Sequence, residues 1–581
     1  MMATQKVEPL SRSAAVFITG RTTNEPFEKT PRCSFDLVPG ALPQAHIPAD
    51  ADLDAAAAWG ITQLRELNGD ALARGCMWRD LYALTGLPRT FFGAENVLPA
   101  WNDVAKYHNP VEFCLIAGTM GLVQMGPTCS WISARYTFIT SGRPPSLCSG
   151  QIGLVPDTEN VGQWKIWHFS TILESLYGYA SPDRFPGNVS TNSNGVVKPP
   201  RPGKYDCVVI GAGFAGLCLS ARFEALGVNY LTLEKNTRVG DNWRHRYRSA
   251  TFHTARDFSD FPLERMFSEA DPYFLNTKQL ARGYEEYANK HGLNIWTGTT
   301  LKTTSYDKDN QLWTLTAAQD EGEIEITTKH FVLAIGGAGQ TPVLPNLDLF
   351  PGIALHSSEY QCADEWRGKN GVVVGTANTG HDVAEDMLKA GLSSVTMVQR
   401  GETCVFPTEV HKHFAEQQYK REFSIEECDR SLMGYPNSII RQFQLLAYRS
   451  YLEQNPHRYD SLEQAGFKVG RNGDLWDILC GKQGGHYVDV GTSQKIADGL
   501  INIKHGSVVG FTSTGLRFAD GTCLDADVIV FCTGFANDVR EQAEQLVGSE
   551  IAHYLEDYFF VDEEGEILGA WKPQGPLLST P

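Results

Sequence analysis

Residues 211–216 constrain the fold of this chain more than any other segment. They read Gly-Ala-Gly-Phe-Ala-Gly, a GxGxxG pattern placed between an apolar stretch of strand length, 207–210, and a run of good helix formers, 215–225. We expect Gly211 to permit a tight turn, Gly213 to let the backbone approach a pyrophosphate, and Gly216 to allow close packing of helix on strand. The segment therefore predicts a βαβ unit that binds a dinucleotide at the helix N-terminus.

An acidic residue narrows the choice of dinucleotide at this first loop. Glu234 lies 23 residues after Gly211, directly after the next predicted strand, 230–233. A carboxylate at this position can accept hydrogen bonds from both hydroxyls of an adenosine ribose and disfavours a 2′-phosphate. The first site is therefore predicted to bind FAD or NAD rather than NADP.

A second loop of the same kind occurs at residues 375–380, after the apolar strand 372–374. It reads Gly-Thr-Ala-Asn-Thr-Gly, so that alanine stands where the backbone must come closest to the pyrophosphate. Arg400 follows the next predicted strand, 395–399, and takes the place that Glu234 has in the first unit. Its charge suits a 2′-phosphate, which favours NADPH over NADH, although a solvated strand-end cation is the alternative. The residues expected to hold this cofactor are Gly375, Ala377, Asn378, Gly380 and Arg400.

Composition limits the class of protein. A chain of 581 residues exceeds the roughly 250–300 residues that one core supports, so two or three domains are expected. The formal charge of -18 argues against a nucleic-acid partner, since affinity for nucleic acid comes mainly from Lys and Arg. No run of about 18 apolar residues and no signal pattern is present, which predicts a cytoplasmic protein without a membrane segment. The 13 cysteines form no CxxC pair, which disfavours a disulfide reductase, and no metal site is predicted.

The pattern of elements suggests several domains. Residues 185–204 are rich in Pro, Gly, Ser and Asn and are predicted to be a linker. Before it we expect an N-terminal arm, 1–50, and an α+β domain, 51–184, with helices at 51–67 and 70–84 and strands at 111–124, 130–140, 147–154 and 163–173. After it come a first nucleotide-binding half, 205–345, a second, 346–505, and a shortened return to the first, 506–581. The fold class is α/β, with two Rossmann-like domains behind an α+β domain.

Two further segments carry a resemblance to a known family. Residues 240–243 read Gly-Asp-Asn-Trp, and residues 350–360 contain Phe350, Gly352, His356 and Tyr360 in the spacing FxGxxxHxxxY. Together with residues 334–336, Pro342 and residues 533–535, these resemble the flavin-containing monooxygenases, class B-like flavoproteins, over about 205–538. The resemblance implies FAD at the first loop, with Asn242 and Trp243 along the flavin, and NADPH at the second. Baeyer–Villiger monooxygenases have Trp in place of the motif's last residue, so Tyr360 favours the former branch.

The resemblance also implies a reaction. Such enzymes transfer one oxygen atom of O₂ to a small organic substrate through a C4a-(hydro)peroxyflavin, here with specialised metabolism as the expected setting. Relatives often place an asparagine beside the flavin, and counting back from Pro262 puts His253 or Thr254 there. Each can donate one hydrogen bond, while the alternative is that both lie in a surface turn. The Gly-rich segment with which relatives return to the flavin is not found in residues 571–581.

Two alternatives to this function remain open on the sequence. One is Baeyer–Villiger oxygenation of a ketone, and the other is an impaired flavoprotein that serves as a ligand-binding module. The second would use the N-terminal domain, since residues 77–85 and 164–167 resemble the cone-shaped nuclear-transport-factor-2-like domain. Trp78, Asp80 and His168 are candidates for the lining of a ligand cavity there, with core packing as the more common alternative. The sequence does not indicate an oligomeric state.

Overall fold

The computed structural model describes residues 29–160, 162–185, 203–320, 322–336, 341–344, 350–536 and 538–572. Most of the predicted linker and the first 28 residues of the predicted arm lie outside these ranges. The chain divides into two compact units. The first unit comprises Met1–Pro186, Glu426–Phe443 and His553–Pro581, and the second comprises Gly187–Ile425 and Gln444–Ala552.

The N-terminal part of the first unit packs two helices against a mixed sheet. Its elements are α1 (Leu53–Arg65), β1 (Leu72–Leu81), β2 (Pro88–Phe92), α2 (Ala94–His108), β3 (Pro110–Leu115), β4 (Gly121–Gly126), β5 (Cys129–Thr140), β6 (Ser146–Pro156) and β7 (Trp164–Leu176). The strand order is β2-β1-β7-β6-β5-β3, with β4 also paired to β5. Only β1 and β7 pair in parallel. The apolar faces of both helices and of the sheet form one core, which agrees with the predicted α+β class.

The predicted helix at 70–84 is wrong, because this segment contains strand β1. Its residues are good helix formers, but Cys76, Met77 and Trp78 are all fully buried. Both edges of β1 are hydrogen-bonded, to β2 and to β7. Tertiary pairing of this kind overrides a weak local propensity. The helix α2 was not predicted.

The first nucleotide-binding half begins the second unit. Its elements are β8 (Lys204–Ile210), α3 (Phe214–Leu226), β9 (Tyr230–Leu233), α4 (Asp241–Arg244), β10 (Thr251–Ala255), β11 (Phe274–Asn276), α5 (Thr277–Lys290), β12 (Ile295–Trp296), β13 (Thr300–Asp307), β14 (Leu312–Gln319) and β15 (Gly322–Leu333). Six strands form a sheet in the order β12-β9-β8-β15-β14-β13, and the first four are parallel. Strands β10 and β11 pair separately. The predicted βαβ unit is thus present at β8, α3 and β9.

The second half repeats this plan with a long insertion. The elements between residues 350 and 531 are β16 (Ile353–His356), β17 (Asn370–Val374), α6 (Asn378–Ala390), β18 (Ser394–Gln399), β19 (Thr403–Pro407), α7 (Thr408–Gln418), α8 (Ile425–Met433), α9 (Asn437–Gln454), α10 (Asp460–Gln464), β20 (Val469–Gly470), β21 (His486–Asp489), α11 (Thr492–Ala497), β22 (Asn502–His505), β23 (Val508–Phe511), β24 (Gly515–Phe518), β25 (Cys523–Asp525) and β26 (Val528–Phe531). Of these, α8 from Glu426 onward and the first part of α9 belong to the first unit, so the predicted second half, 346–505, is interrupted there. A parallel sheet of five strands has the order β16-β26-β17-β18-β22. The predicted second βαβ unit corresponds to β17, α6 and β18.

The elements from β26 to the end of the described chain belong to three different parts of the fold. Strand β26 is fully buried between β16 and β17 in the second sheet. Two helices, α12 (Val539–Val547) and α13 (Ser549–Ala552), follow, and the Thr304 hydroxyl of β13 donates to the Leu546 carbonyl at 2.9 Å. The hairpin β27 (Phe559–Val561) and β28 (Ile567–Leu568) belongs to the first unit. The expectation that 506–581 returns to the first nucleotide-binding half therefore holds only for α12 and α13. A wholly apolar strand is stable in the middle of a parallel sheet, which accounts for the position of β26.

Among the described residues, no helix is long and apolar enough to cross a membrane.

Candidate active site

The first glycine loop has the geometry that its sequence predicts. Gly211 has φ +105°, and a Cβ there would lie 2.6 Å from the Ala334 carbonyl oxygen. A Cβ on Gly216 would lie 1.9 Å from the Gly211 carbonyl oxygen, so α3 can approach β8 only with glycine at this position. A Cβ on Gly213, the residue before α3, would meet nothing within 4 Å. Gly211 and Gly216 therefore serve packing, whereas Gly213 faces open space at the N-terminus of α3, as a phosphate-binding backbone must.

Glu234 is held against this loop. Its side chain follows β9 and is buried, with Oε2 accepting from the Ala212 N–H at 2.8 Å. The other oxygen, Oε1, accepts from the Asn236 N–H at 2.9 Å and from Asn236 Nδ2 at 2.7 Å. A carboxylate has about four acceptor positions, so these three bonds fix its orientation and leave capacity for a ribose hydroxyl. The position and chemistry of Glu234 fit the adenosine end of a dinucleotide.

The second loop reproduces the first. Gly375 has φ +120°, with a Cβ there 2.4 Å from the Cys532 carbonyl oxygen, and a Cβ on Gly380 would lie 2.3 Å from the Gly375 carbonyl oxygen. Ala377 precedes α6 with φ -85° and ψ -174°, close to the φ -76° and ψ -168° of Gly213. These are extended values that any L-residue adopts without strain. The alanine in GxAxxG therefore costs the turn no backbone strain.

A later strand supports each loop in the same way. The N–H of Ala334, after β15, donates to the Ile210 carbonyl at 2.8 Å, and the N–H of Cys532, after β26, donates to the Val374 carbonyl at 2.8 Å. The carbonyl oxygens of Ala334 and Cys532 lie so close to Gly211 and Gly375, respectively, that neither glycine leaves room for a Cβ. The sequence shows these supports only as small residues and glycines after apolar strands. Their equivalence becomes visible when both sheets are formed.

Arg400 has the place in the second half that Glu234 has in the first. Each residue directly follows the strand after the loop helix, β18 and β9 respectively. Arg400 is exposed and makes no hydrogen bond or ion pair with any residue that the structure describes. Its guanidinium is therefore free to bind an anion such as a phosphate, where Glu234 would repel one.

Asn242 and Trp243 lie on α4, directly after the first βαβ unit. Gly240 directly precedes this helix. Its φ of +88° and its close approach to α5, where a Cβ would lie 2.5 Å from the Ala281 carbonyl oxygen, require glycine. Asn242 is exposed, and the Trp243 ring is half-buried with its centroid 5.3 Å from that of Phe252 in β10. The structure thus brings the predicted flavin-facing tryptophan beside the strand that carries His253 and Thr254.

The two candidates for contact with the reacting oxygen differ in their availability. The side chain of His253 is only 6% exposed. Its Nε2 lies 3.0 Å from Asp382 Oδ1, and its Nδ1 donates to the Val488 carbonyl at 3.2 Å. Thr254 is half-buried, and its hydroxyl has no hydrogen-bond partner in the described part of the chain. Both residues belong to β10 rather than to a surface turn, and Thr254 is the one with a free donor.

The FxGxxxHxxxY segment is structural. His356 is fully buried, its Nε2 donates to the Gly534 carbonyl at 3.1 Å, and its Nδ1 accepts from the Ser358 N–H at 3.2 Å. Burial lowers the pKa of His356. The Tyr360 hydroxyl donates to Asp386 of α6. The motif therefore fixes the end of β16 to the turn after β26 and to α6.

In the N-terminal unit, Trp78, Asp80 and His168 are all fully buried. The Trp78 indole donates to the Thr171 hydroxyl at 2.9 Å, and Thr171 donates in turn to Asp80. The Asp80 carboxylate also accepts from the N–H groups of residues 84 and 85, while His168 Nε2 donates to the Gly434 carbonyl at 2.8 Å. These contacts favour the core-packing alternative over a ligand cavity.

A cavity of about 520 Å³ lies among the elements between β18 and β22, which are inserted into the second half. It is lined by residues of α7, α10 and α11, by Asp489 and Val490, and by Phe274 of β11. Neither glycine loop contributes to its lining. Lys412 lies over the Tyr273 ring, 5.0 Å from its centroid, and forms no ion pair among the described residues. Phe274 is the strand partner of Ala255 in the antiparallel pair of β10 and β11, so the cavity lies near Thr254, the residue before Ala255. The volume falls in the range of small-molecule sites, and the lining is mostly polar, with both acidic and basic side chains.

Comparison with known proteins supports the nucleotide-binding assignment. The family model for pyridine nucleotide-disulphide oxidoreductases matches residues 208–418. A probable indole-3-pyruvate monooxygenase of Arabidopsis thaliana, YUCCA10, is 26% identical over 360 residues, which cover 61% of this chain and 84% of the relative. Indole-3-pyruvate monooxygenase YUCCA1 of Oryza sativa subsp. japonica is 29% identical over 336 residues, 57% and 77% of the two chains.

Among solved structures, an oxidized steroid monooxygenase bound to NADP aligns with a TM-score of 0.44 and 19% identity, over 59% of this chain and 73% of that one. The two glycine loops have equivalent geometry, and the residues after the second strand of each unit carry opposite charges. The relatives named above are monooxygenases. The chain is an enzyme similar to the flavin-dependent monooxygenases, and its cofactors are FAD and NADPH.

Proposed function

We propose that the two loops bind the two cofactors in the order that their charges indicate. FAD is held by Gly211, Gly213, Gly216, Glu234, Asn242 and Trp243, and NADPH by Gly375, Ala377, Asn378, Gly380 and Arg400. The observation that carries this proposal is the equivalent placement of Glu234 and Arg400 after β9 and β18, with opposite charges. When bound, NADPH supplies the hydride and FAD supplies the chemistry that activates O₂.

Within this site the protein positions groups rather than carrying out a separate acid–base step. Thr254 has the free donor on β10, so we assign to its hydroxyl the hydrogen bond to the oxygen that is transferred. His253 is engaged with Asp382 and Val488, and we assign to it the support of β10. The predicted pair of candidates is therefore divided into a contacting residue, Thr254, and a supporting one.

The 520 Å³ cavity is our candidate for the substrate site. Phe274, Leu462 and Val490 offer apolar surface, and Lys412 offers a cation among the lining residues. Two relatives are named for indole-3-pyruvate, and a 2-oxo acid has both an apolar group and a carboxylate. Small organic acids of this kind are therefore the first substrates to test, beside a panel of ketones.

The ketone panel addresses Baeyer–Villiger oxygenation, which Tyr360 does not exclude. The Tyr360 hydroxyl is used to hold Asp386 in the second half. A Tyr in place of Trp therefore changes how α6 is packed and gives no direct information on the oxygenated atom. Product analysis decides between the two reactions.

The experiment that tests the proposal follows the flavin of the purified protein. We expect FAD to co-purify, NADPH to bleach its absorbance without oxygen, and ¹⁸O₂ to place one labelled atom in the product. Bleaching without labelled product would identify the impaired flavoprotein, and a colourless protein would overturn the proposal. Replacing Lys412 with Met should raise KM for acidic substrates and leave KM for ketones unchanged; equal effects on both would reject the cavity as the carboxylate site.

For the N-terminal part of the first unit we propose the nuclear-transport-factor-2-like fold, supported by two helices packed on a mixed seven-stranded sheet. We assign it a structural role because Trp78, Asp80 and His168 are buried in hydrogen bonds of their own. Asp80→Asn should leave kcat unchanged while lowering the melting temperature. A large loss of kcat at unchanged stability would show that the domain takes part in turnover.

A further inference from the structure

We propose that Asp382 is a positioning residue that couples occupancy of the NADPH loop to the strand β10 beside the flavin. The inference rests on the proposed function and concerns Asp382, which lies outside the glycine pattern of either cofactor loop. Asp382 is a buried carboxylate two residues beyond the GxAxxG pattern, and no motif in the sequence singles it out.

Asp382 lies on α6, one helical turn after Asn378. Its side chain is buried, and both of its oxygens are used by the other half of the unit. Oδ1 lies 3.0 Å from His253 Nε2, and Oδ2 accepts from the Tyr247 hydroxyl at 2.9 Å. One carboxylate of the NADPH-binding half thus holds two side chains of the FAD-binding half.

A second path of hydrogen bonds joins α6 to β10 through Val488 of β21. The Val488 carbonyl accepts from His253 Nδ1 at 3.2 Å, and the Val488 N–H donates to Asn378 Oδ1 at 2.9 Å. Since Asn378 and Asp382 are one turn apart on α6, these three hydrogen bonds and the helix backbone together close a ring of four residues. The ring runs from Asn378 through Val488 and His253 to Asp382.

The ring restrains the part of β10 that carries Thr254. His253 and Thr254 are adjacent in an irregular stretch of this strand, so fixing His253 against α6 also restricts the backbone of Thr254. The ring also begins at Asn378, the first residue of the helix whose N-terminus faces the NADPH loop. A nucleotide that orders this helix end must therefore stabilise the ring, and the ring must in turn favour the nucleotide, since such coupling is reciprocal.

The burial of the ring makes the coupling strong enough to measure. The His253 side chain is 6% exposed and that of Asp382 is 7% exposed. Removing one partner of a buried polar pair leaves the other without its hydrogen bond, which is costly in a low-dielectric interior. Coupling of this size changes affinity by about fivefold or more.

The test compares the wild type with Asp382→Ala and uses two readouts other than turnover. The dissociation constant of NADP⁺ is measured from the perturbation of flavin absorbance, and amide hydrogen exchange is measured for residues 251–255 with and without NADP⁺. In the wild type we expect NADP⁺ to slow exchange in β10. In Asp382→Ala we expect that protection to vanish and NADP⁺ affinity to fall about fivefold or more, with FAD content unchanged.

Two further variants keep the result interpretable. Asp386→Asn is the matched control, because Asp386 is an equally buried carboxylate of α6 that bonds Tyr360 and the Ala363 N–H outside the ring. It should leave the NADP⁺ effect on β10 intact. Asp382→Asn retains an acceptor for Tyr247 and serves if the alanine variant fails to fold; it should recover part of the protection.

Equal protection of β10 by NADP⁺ in the wild type and in Asp382→Ala would overturn the inference, as would NADP⁺ binding to the wild type without any protection. If the wild type gives no NADP⁺ signal at all, the proposed function fails as well, so the two failures are distinguishable.

Discussion

Replacing Gly213 with Ala separates cofactor binding from folding at the first loop. Gly213 has φ -76° and ψ -168°, values open to alanine, and an added Cβ meets nothing within 4 Å. Alanine in place of glycine is stabilising by about 0.4–1 kcal/mol through the unfolded chain, and it is a poorer N-cap by a similar amount. We therefore expect the free energy of unfolding of the FAD-free protein to change by less than about 0.5 kcal/mol.

FAD binding should change much more. The methyl group occupies the space through which the loop backbone approaches the pyrophosphate. The loss of one hydrogen bond to a charged group is worth about 1.5–3 kcal/mol, which corresponds to a roughly 10- to 150-fold weaker affinity for FAD. The assay is isothermal titration of FAD-depleted protein, accompanied by thermal unfolding of the same preparation.

Two matched variants complete the experiment. Gly216→Ala places a methyl group 1.9 Å from the Gly211 carbonyl oxygen and should prevent the protein from accumulating in folded form. Ala377→Gly removes the methyl group from the equivalent position of the second loop, so by the same reasoning NADPH affinity should be equal to or higher than that of the wild type. If Gly213→Ala binds FAD as tightly as the wild type, the assignment of this backbone to the pyrophosphate is wrong.

Three other perturbations have outcomes that the structure determines. Arg400→Ala should reduce the preference for NADPH over NADH by about 10- to 150-fold, and Arg400→Lys by less, as judged by kcat/KM; an unchanged ratio would remove the residue from the site. Burial lowers the pKa of His168 to about 3, so the neutral ring stabilises the fold above pH 6.5 and this contribution is lost as the pH falls toward 3, roughly 5 kcal/mol. Urea titrations across this range should show a flatter dependence for His168→Gln. Burial raises the pKa of Asp260 from 3.8 to about 6, so ionisation costs stability as the pH rises through this interval, roughly 3 kcal/mol. Asp260→Asn keeps an acceptor for the Met266 N–H and should melt higher than the wild type at pH 7 but not at pH 4.

The loops show how much of the site was predictable. The roles of Gly211, Gly213 and Gly216 follow from local geometry, because a turn from strand to helix has the same steric limits in any chain. The equivalence of Glu234 and Arg400 follows from counting along two βαβ units. By contrast, the segment 70–84 was predicted as a helix and contains β1, because its pairing with β2 and β7 depends on strands far away in the sequence.

The sequence by itself determined the two βαβ units with their glycine loops and the opposite charges of Glu234 and Arg400 after the second strand of each, since these depend on residues close together along the chain. Only the tertiary structure decided the division between His253 and Thr254, because Asp382 and Val488 reach β10 from positions more than a hundred residues away. It also decided that β26 belongs to the second sheet and that β27 and β28 belong to the N-terminal unit. Buried polar groups take whichever partners the assembled elements provide, and the order of residues does not state which elements meet.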